Sequence, residues 1–265
     1  MSPEDDRFEH HEPVKPEMSG ILTVELFQER CGDLGMTPSD FAGLWKAAKV
    51  HSSNLPYHNW EHTLDVLSRA MDFADECEDN NTPVNRKVLF GAALFHDAFF
   101  EEDPSRRGFD SKESHSAAIF SYQAEFYGFS QEEIELGKQA IMSTKLGSRP
   151  ETIEDKILVR SDIDNIGGDY NESFLPNTQK AYNEAIRRPD EAISDGFKQG
   201  TAILLSKYLT NNLSLGDFDK SYDHWQAQSF NNLLKLLETT EDFHVPPKLA
   251  ELLGQDISGD NPSLN

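Results

Sequence analysis

Apolar positions recur three and four residues apart along most of the chain, and alternating strand patterns of useful length are nearly absent. The pattern predicts an all-α fold of about ten helices. Thr37-Pro38-Ser39-Asp40 supplies a capping side chain, a proline at the first helical position and an acid in the first turn. It predicts a helix to about Val50. A second helix is predicted over about 58–78, and a third from Thr82-Pro83 through the apolar run 88–100 to about Ala98. A fourth covers about 112–127. Ser130 with Glu133 reads as a capping box opening a fifth, to about Thr144. Further helices are predicted over 152–165, 177–188, 191–211, 219–239 and 247–253. Residues 1–20, rich in Pro, Glu and His, read as a flexible acidic arm, and 255–265 as a flexible tail. Between them, no linker and no repeat interrupts 21–254, which predicts a single helical domain.

Composition changes this picture only at its edges. A chain of 265 residues buries a sizeable core without disulfides. Lys and Arg number 24 against 47 Asp and Glu, a net charge of −23, which speaks against a nucleic-acid polymer or an anionic membrane as partner. Solubility or a salty habitat accounts for the charge. Cys31 and Cys77 form no CxxC and no disulfide framework, and the acidic stretch 1–17 resembles neither a signal nor a transit peptide. A cytoplasmic location is expected. The run 88–100 is too short to span a bilayer and is broken by His96-Asp97. Oligomeric state is not legible.

Candidate chemistry lies in three segments. In Tyr57-His58-Asn59-Trp60-Glu61-His62-Thr63-Leu64-Asp65, helical spacing puts His58, His62, Asp65 and Arg69 on one stripe, with Leu64, Leu67 and Met71 opposite. Histidines one turn apart can share a metal, although a solvated helix face explains a single such pair equally well. His96-Asp97 interrupts the most apolar stretch, where a carboxylate needs a partner. Asp162 and Asp164 follow an apolar helical turn, at a helix end whose dipole opposes them, and a cation would compensate. Two imidazoles and two carboxylates suit Mn²⁺, Fe²⁺, Co²⁺ or Zn²⁺, with Mg²⁺ also admitted.

The ordered set His62, His96-Asp97, Asp162 resembles the HD superfamily of metal-dependent phosphohydrolases. YHNWEHTLDV is similar to the signature of cyclic-nucleotide phosphodiesterases, LFHDAFF to the metal-binding HD helix, and SDIDNIG to the late aspartate segment. Bacterial predicted HD phosphohydrolases also resemble the chain through Asp110-Ser111-Lys112-Glu113-Ser114-His115-Ser116-Ala117. The resemblance covers roughly residues 50–240. It implies an HD-type helical bundle, hydrolysis of a small phosphorylated substrate such as a nucleotide, and His62, His96, Asp97 and Asp162 as ligands of one ion. It implies His58 as general acid and Asp65 orienting an imidazole from behind. Arg69, Glu113 and Lys145 are further candidates for substrate or supporting contacts. Arg106, Arg107, Lys112, Arg149 and Arg160 are other bases that could hold phosphate. Lys145 stands where related proteins often carry a histidine, and only His115 could replace it, which favours a mononuclear site.

Three other readings compete. His58-Asn59-Trp60-Glu61-His62 also fits the inverted zincin pattern H-x-x-E-H, with Glu132, Glu133 or Glu135 as a third ligand. That reading leaves His96, Asp97 and Asp162 without a role. An HD-fold di-iron oxygenase would need more histidines, and a non-catalytic metal- or nucleotide-binding HD protein would keep the same residues. The aromatic cluster Tyr122, Phe126, Tyr127 and Phe129, and the pair Trp225 and Phe230, are expected in the core.

Overall fold

The computed structural model describes residues 24–188 and 191–240, and among them it is all-α, with ten α-helices and no strand. The predicted arm, the tail and the helix over 247–253 lie outside the described residues. In chain order the helices are α1 (Val24–Cys31), α2 (Pro38–His51), α3 (Trp60–Asp79), α4 (Arg86–Phe95), α5 (Lys112–Phe126), α6 (Gln131–Ser143), α7 (Ile153–Asp162), α8 (Leu175–Ile186), α9 (Asp195–Leu209) and α10 (Ser221–Glu238).

The capping chemistry reads as the sequence predicts at α2 and α6. The Thr37 hydroxyl accepts from the Asp40 amide, and Ser130 and Glu133 form a reciprocal box. Two helix starts differ. Asn59 caps α3 by accepting from the His62 amide, so His58 stands outside the helix. Asn85 caps α4 by accepting from the Val88 amide, so Thr82-Pro83 belongs to the preceding loop. A short side-chain acceptor satisfies an orphan amide wherever it comes first into register, and Asn does this as well as Thr. α4 also stops at Phe95, short of the predicted Ala98.

α4 is the central rod. Every residue from Val88 to Phe95 is buried, as expected of a helix apolar all round. It packs against α2, α3, α5, α6 and α7. α3 turns a stripe including Val66, Leu67, Ala70, Met71 and Ala74 into the same core. A second apolar cluster gathers Ile163, Ile166, Phe174, Trp225 and Leu233. α7 joins the two, with Ile157 and Leu158 in the first and Val159 in the second. Trp225 and Phe230 are buried as expected, but Tyr122 and Phe126 are 74% and 77% exposed on α5. They are one turn apart on the face away from Phe120 and Ala124, which take the core positions.

Cys31 and Cys77 are free and buried, and burial pushes each thiol up to about 12. No helix among the described residues is long and apolar enough to cross a membrane.

Candidate metal centre

Three helix ends bring the site together. His62 sits in the first turn of α3, His96 and Asp97 follow the last turn of α4, and Asp162 closes α7. Across 100 residues of sequence, His62 Nε2 lies 3.1 Å from Asp162 Oδ1. It lies 3.4 Å from Asp97 Oδ2 and 3.4 Å from His96 Nε2. His96 Nε2 is 3.0 Å from Asp97 Oδ2 and 3.6 Å from Asp162 Oδ1. One donor atom from each of the four side chains falls within 4.8 Å of every other, a group that could hold a metal ion. Among the described residues it is the one group of three or more such side chains that converges.

The local chain explains why these atoms converge. His96 Nδ1 donates to the Ala93 carbonyl at 2.8 Å, which turns Nε2 inward as the nitrogen available to an ion. Immediately beyond, Phe99 takes a left-handed backbone (φ 53°), and its amide donates to the His51 carbonyl at 2.7 Å. This sharp exit ends α4 early and leaves Asp97 facing the cluster from the turn. A bulky residue in that conformation costs about 1–3 kcal/mol, held here by the surrounding packing.

The four side chains are tightly coupled electrostatically. Asp97 Oδ2 is buried, facing His96 Nε2 at 3.0 Å and His62 Nε2 at 3.4 Å. Burial alone would raise both carboxyls and lower both imidazoles. The imidazoles instead hold Asp97 well below the usual carboxylate range and Asp162 at about 2. In return the two carboxylates hold His62 at about 9 and His96 well above its ordinary value. A divalent ion at this point would take over from the imidazole protons in balancing the two carboxylates. Two nitrogens and two oxygens are the donor set of first-row divalent ions.

His58 stands beside this group rather than in it. Its ring centroid is 5.9 Å from that of His62, and its Nδ1 lies 2.7 Å from Glu184 Oε1. Glu184 Oε2 also accepts from the amides of Tyr57 and His58, at 3.2 and 3.1 Å. These three bonds hold the Glu184 carboxyl below its ordinary range, against the effect of its burial. The His58 ring stacks on Phe100 with centroids 3.6 Å apart, and Lys112 Nζ lies 3.5 Å from the Phe100 centroid. Glu184, on α8, has no sequence signal that links it to a histidine 126 positions earlier.

The other candidates scatter. Asp65 faces the polar cavity next to the cluster but hydrogen-bonds to none of the three imidazoles; Ala93 and Glu184 orient His96 and His58 instead. The stripe His58, His62, Asp65, Arg69 is broken at its first member, because Asn59 starts the helix. Arg69 pairs through Nε with Asp164 at 2.7 Å, which also accounts for Asp164. Lys145 is exposed in the turn after α6 and lines neither cavity at the site. Glu113 is half-buried in the first turn of α5 and is not one of the four converging side chains. His115 lies between Phe109 and Phe99, with ring centroids 4.8 and 6.1 Å away, so it does not supply a second metal position. Arg160 is buried against Asp219, and Arg107 pairs with Glu102 on the surface. His58 is engaged by Glu184, Glu61 is exposed, and Glu133 is committed to Ser130 and Lys87, so the inverted zincin arrangement is not assembled.

Two cavities meet at this point, sharing Tyr57, Asp162, Asn165 and Asn177. One, of about 610 Å³, is polar and lies along α3; the other, of about 480 Å³, runs between α8 and α9 and is lined by His58. No protein-family model matches the chain, and no curated protein matches it.

Proposed function

We propose that the chain is a metal-dependent phosphohydrolase of HD type, cleaving a phosphoester or phosphoanhydride of a small molecule. The observation that carries this reading is the convergence of His62, His96, Asp97 and Asp162, with a carboxylate-backed histidine beside them. These four would hold one Mn²⁺, Fe²⁺, Co²⁺, Zn²⁺ or Mg²⁺. An ion bound there supplies Lewis acidity toward a phosphoryl oxygen and a more acidic water.

The remaining work belongs to the chain. Glu184 retains the proton on His58 Nδ1, so the proton that moves is the one on Nε2. His58 delivers it to the oxygen that leaves phosphorus, and Glu184 stabilises the imidazolium beforehand. Phe100 fixes the plane of the ring by stacking. Lys112, which burial pushes down and Glu184 and Asp97 pull back up, adds positive charge on the same side. A polyanionic polymer is an unsuitable substrate for a chain of net charge −23.

Hydrolysis of a generic phosphomonoester and phosphodiester by the metal-loaded chain tests the proposal. Activity is expected to vanish in His96→Ala and Asp97→Ala together with the metal. In His58→Ala the metal should stay and turnover should fall by about 10²–10⁴. Unchanged hydrolysis in all three variants contradicts the reading.

A further inference from the structure

The cavity between α8 and α9 has a different character from its neighbour. Its wall includes Ile163, Ile166, Phe174, Phe197, Leu204 and Leu205. Among the described residues, neither Lys nor Arg lines it. Most of its polar groups are already used: Asn165 donates to the Tyr57 hydroxyl, Thr178 to the Phe174 carbonyl and Tyr208 to the Thr144 carbonyl. Leu204, which faces it, is 43% exposed. A cavity of about 480 Å³ has room for one or two fused rings, since about 150 Å³ suffices for benzene.

Two exposed glycines line the open side of the cavity. Gly196 and Gly200 stand one turn apart on α9. Glycine weakens a helix relative to alanine, and elsewhere in this chain close packing explains it: a Cβ at Gly91 or Gly137 would strike the Phe120 ring. At Gly196 and Gly200 a Cβ would meet nothing within 4 Å among the described residues. What the missing side chains leave there is space, continuous with His58 and Asp162.

We infer that this cavity receives the alcohol portion of the substrate, and that the substrate class is the phosphate ester of an uncharged, apolar alcohol of about benzyl to naphthylmethyl size. The inference rests on the phosphohydrolase reading and names the substrate for it. His58 lines the cavity, so the alcohol lodged there is the group that leaves. The oxygen of water forms the new bond to phosphorus as the ester P–O bond breaks. The His58 Nε2 proton passes to the alcohol oxygen, and the proton lost by the water restores the imidazolium. The products are the free alcohol and inorganic phosphate. A polyphosphate tail finds no place in either cavity. The polar cavity holds five carboxylates against three cations, with Arg69 committed to Asp164 and Arg30 to Asp72.

Methyl, butyl and benzyl phosphate, whose alcohols have similar acidity, isolate the apolar contact. With the metal-loaded chain, kcat/KM for benzyl phosphate is expected to exceed that for methyl phosphate by about 10- to 100-fold. In Gly200→Leu, which fills the cavity, that ratio should fall at least about tenfold. Gly200→Ala should lower it less while raising the melting temperature, which separates filling from misfolding. Binding without turnover supplies the second readout: ¹⁹F line broadening of 4-fluorobenzyl alcohol is expected with the wild-type chain and lost in Gly200→Leu. A benzyl-to-methyl ratio near one, a ratio unchanged in a folded Gly200→Leu chain, or preference for a nucleoside triphosphate overturns the inference. Absence of all ester hydrolysis, with the alcohol still bound and displaced by Gly200→Leu, overturns the phosphohydrolase reading and leaves an apolar ligand site.

Discussion

Asp219→Leu probes the anchor that holds Asp162 in place. Arg160 and Asp219 pair in the interior with side chains 2% and 0% exposed. The guanidinium also donates to Ser221 Oγ at 3.0 Å and lies 4.4 Å from the Phe73 ring centroid and 5.6 Å from that of Trp225. Asp219 further accepts from the Leu215 amide at 3.0 Å and from Ser221 Oγ at 3.1 Å. Removing the carboxylate leaves a buried cation and unmet donors, a loss of about 3–5 kcal/mol. At about 2–4 °C per kcal/mol for a chain of this size, melting should fall by about 6–20 °C. Arg160 stands two residues before Asp162 on α7, so metal affinity should weaken with it. The double variant Arg160→Met/Asp219→Leu removes the orphaned charge and should recover most of the loss. Circular-dichroism melts and urea titrations of the single and double variants measure both effects. A single variant within about 1 kcal/mol of wild type, or a double variant as unstable as the single, refutes the reasoning.

Further expectations concern other parts of the site and its frame. Glu184→Gln should keep the metal and lower kcat by about 10- to 100-fold; a kcat equal to wild type contradicts the role of Glu184. Gly167→Ala would set a Cβ 2.2 Å from the Trp225 ring, whose Nε1 donates to the Asp164 carbonyl, so it should cost about 1–3 kcal/mol in a urea titration. Glu133→Gln should cost about 1 kcal/mol at neutral pH. The Ser130 amide and Lys87 hold the Glu133 carboxyl below its ordinary value despite its burial. Its contribution is therefore full above the unfolded pKa of about 4.3 and is lost as pH falls through the lower folded value. Melts of the two proteins should converge in acid, and a gap that persists there contradicts it.

Helices with a strong local start or a wide apolar face were legible in the sequence: Thr37-Pro38 for α2, the Ser130–Glu133 box for α6, the unbroken apolar run for α4. α1 was not, because only Phe27 and Cys31 of its eight residues are buried and so short a stripe carries little periodic signal. The metal group was legible because buried carboxylates and imidazoles need partners, and His96-Asp97 in an apolar run announces that need. Helical spacing alone puts His58 on α3, whereas Asn59, a good cap, starts the helix one residue later. Glu184 and the anchoring pair Arg160–Asp219 were invisible for another reason. Both depend on which distant helices meet, and neither residue type distinguishes a buried partner from a solvated one. The same holds for the surroundings of Arg69, which lines the polar cavity but pairs with Asp164, and of Lys145, which is exposed and lines neither cavity.

The central claim is that His62, His96, Asp97 and Asp162 share one ion, and counting metal by elemental analysis tests it most directly. The wild-type chain and the Asp97→Ala and Asp162→Ala variants would each be equilibrated with Mn²⁺, Co²⁺ or Zn²⁺ and dialysed. One tightly held ion per wild-type chain, lost in both folded variants, is the predicted result. A wild-type chain that retains none of the three, or variants that retain as much as wild type, contradicts the account.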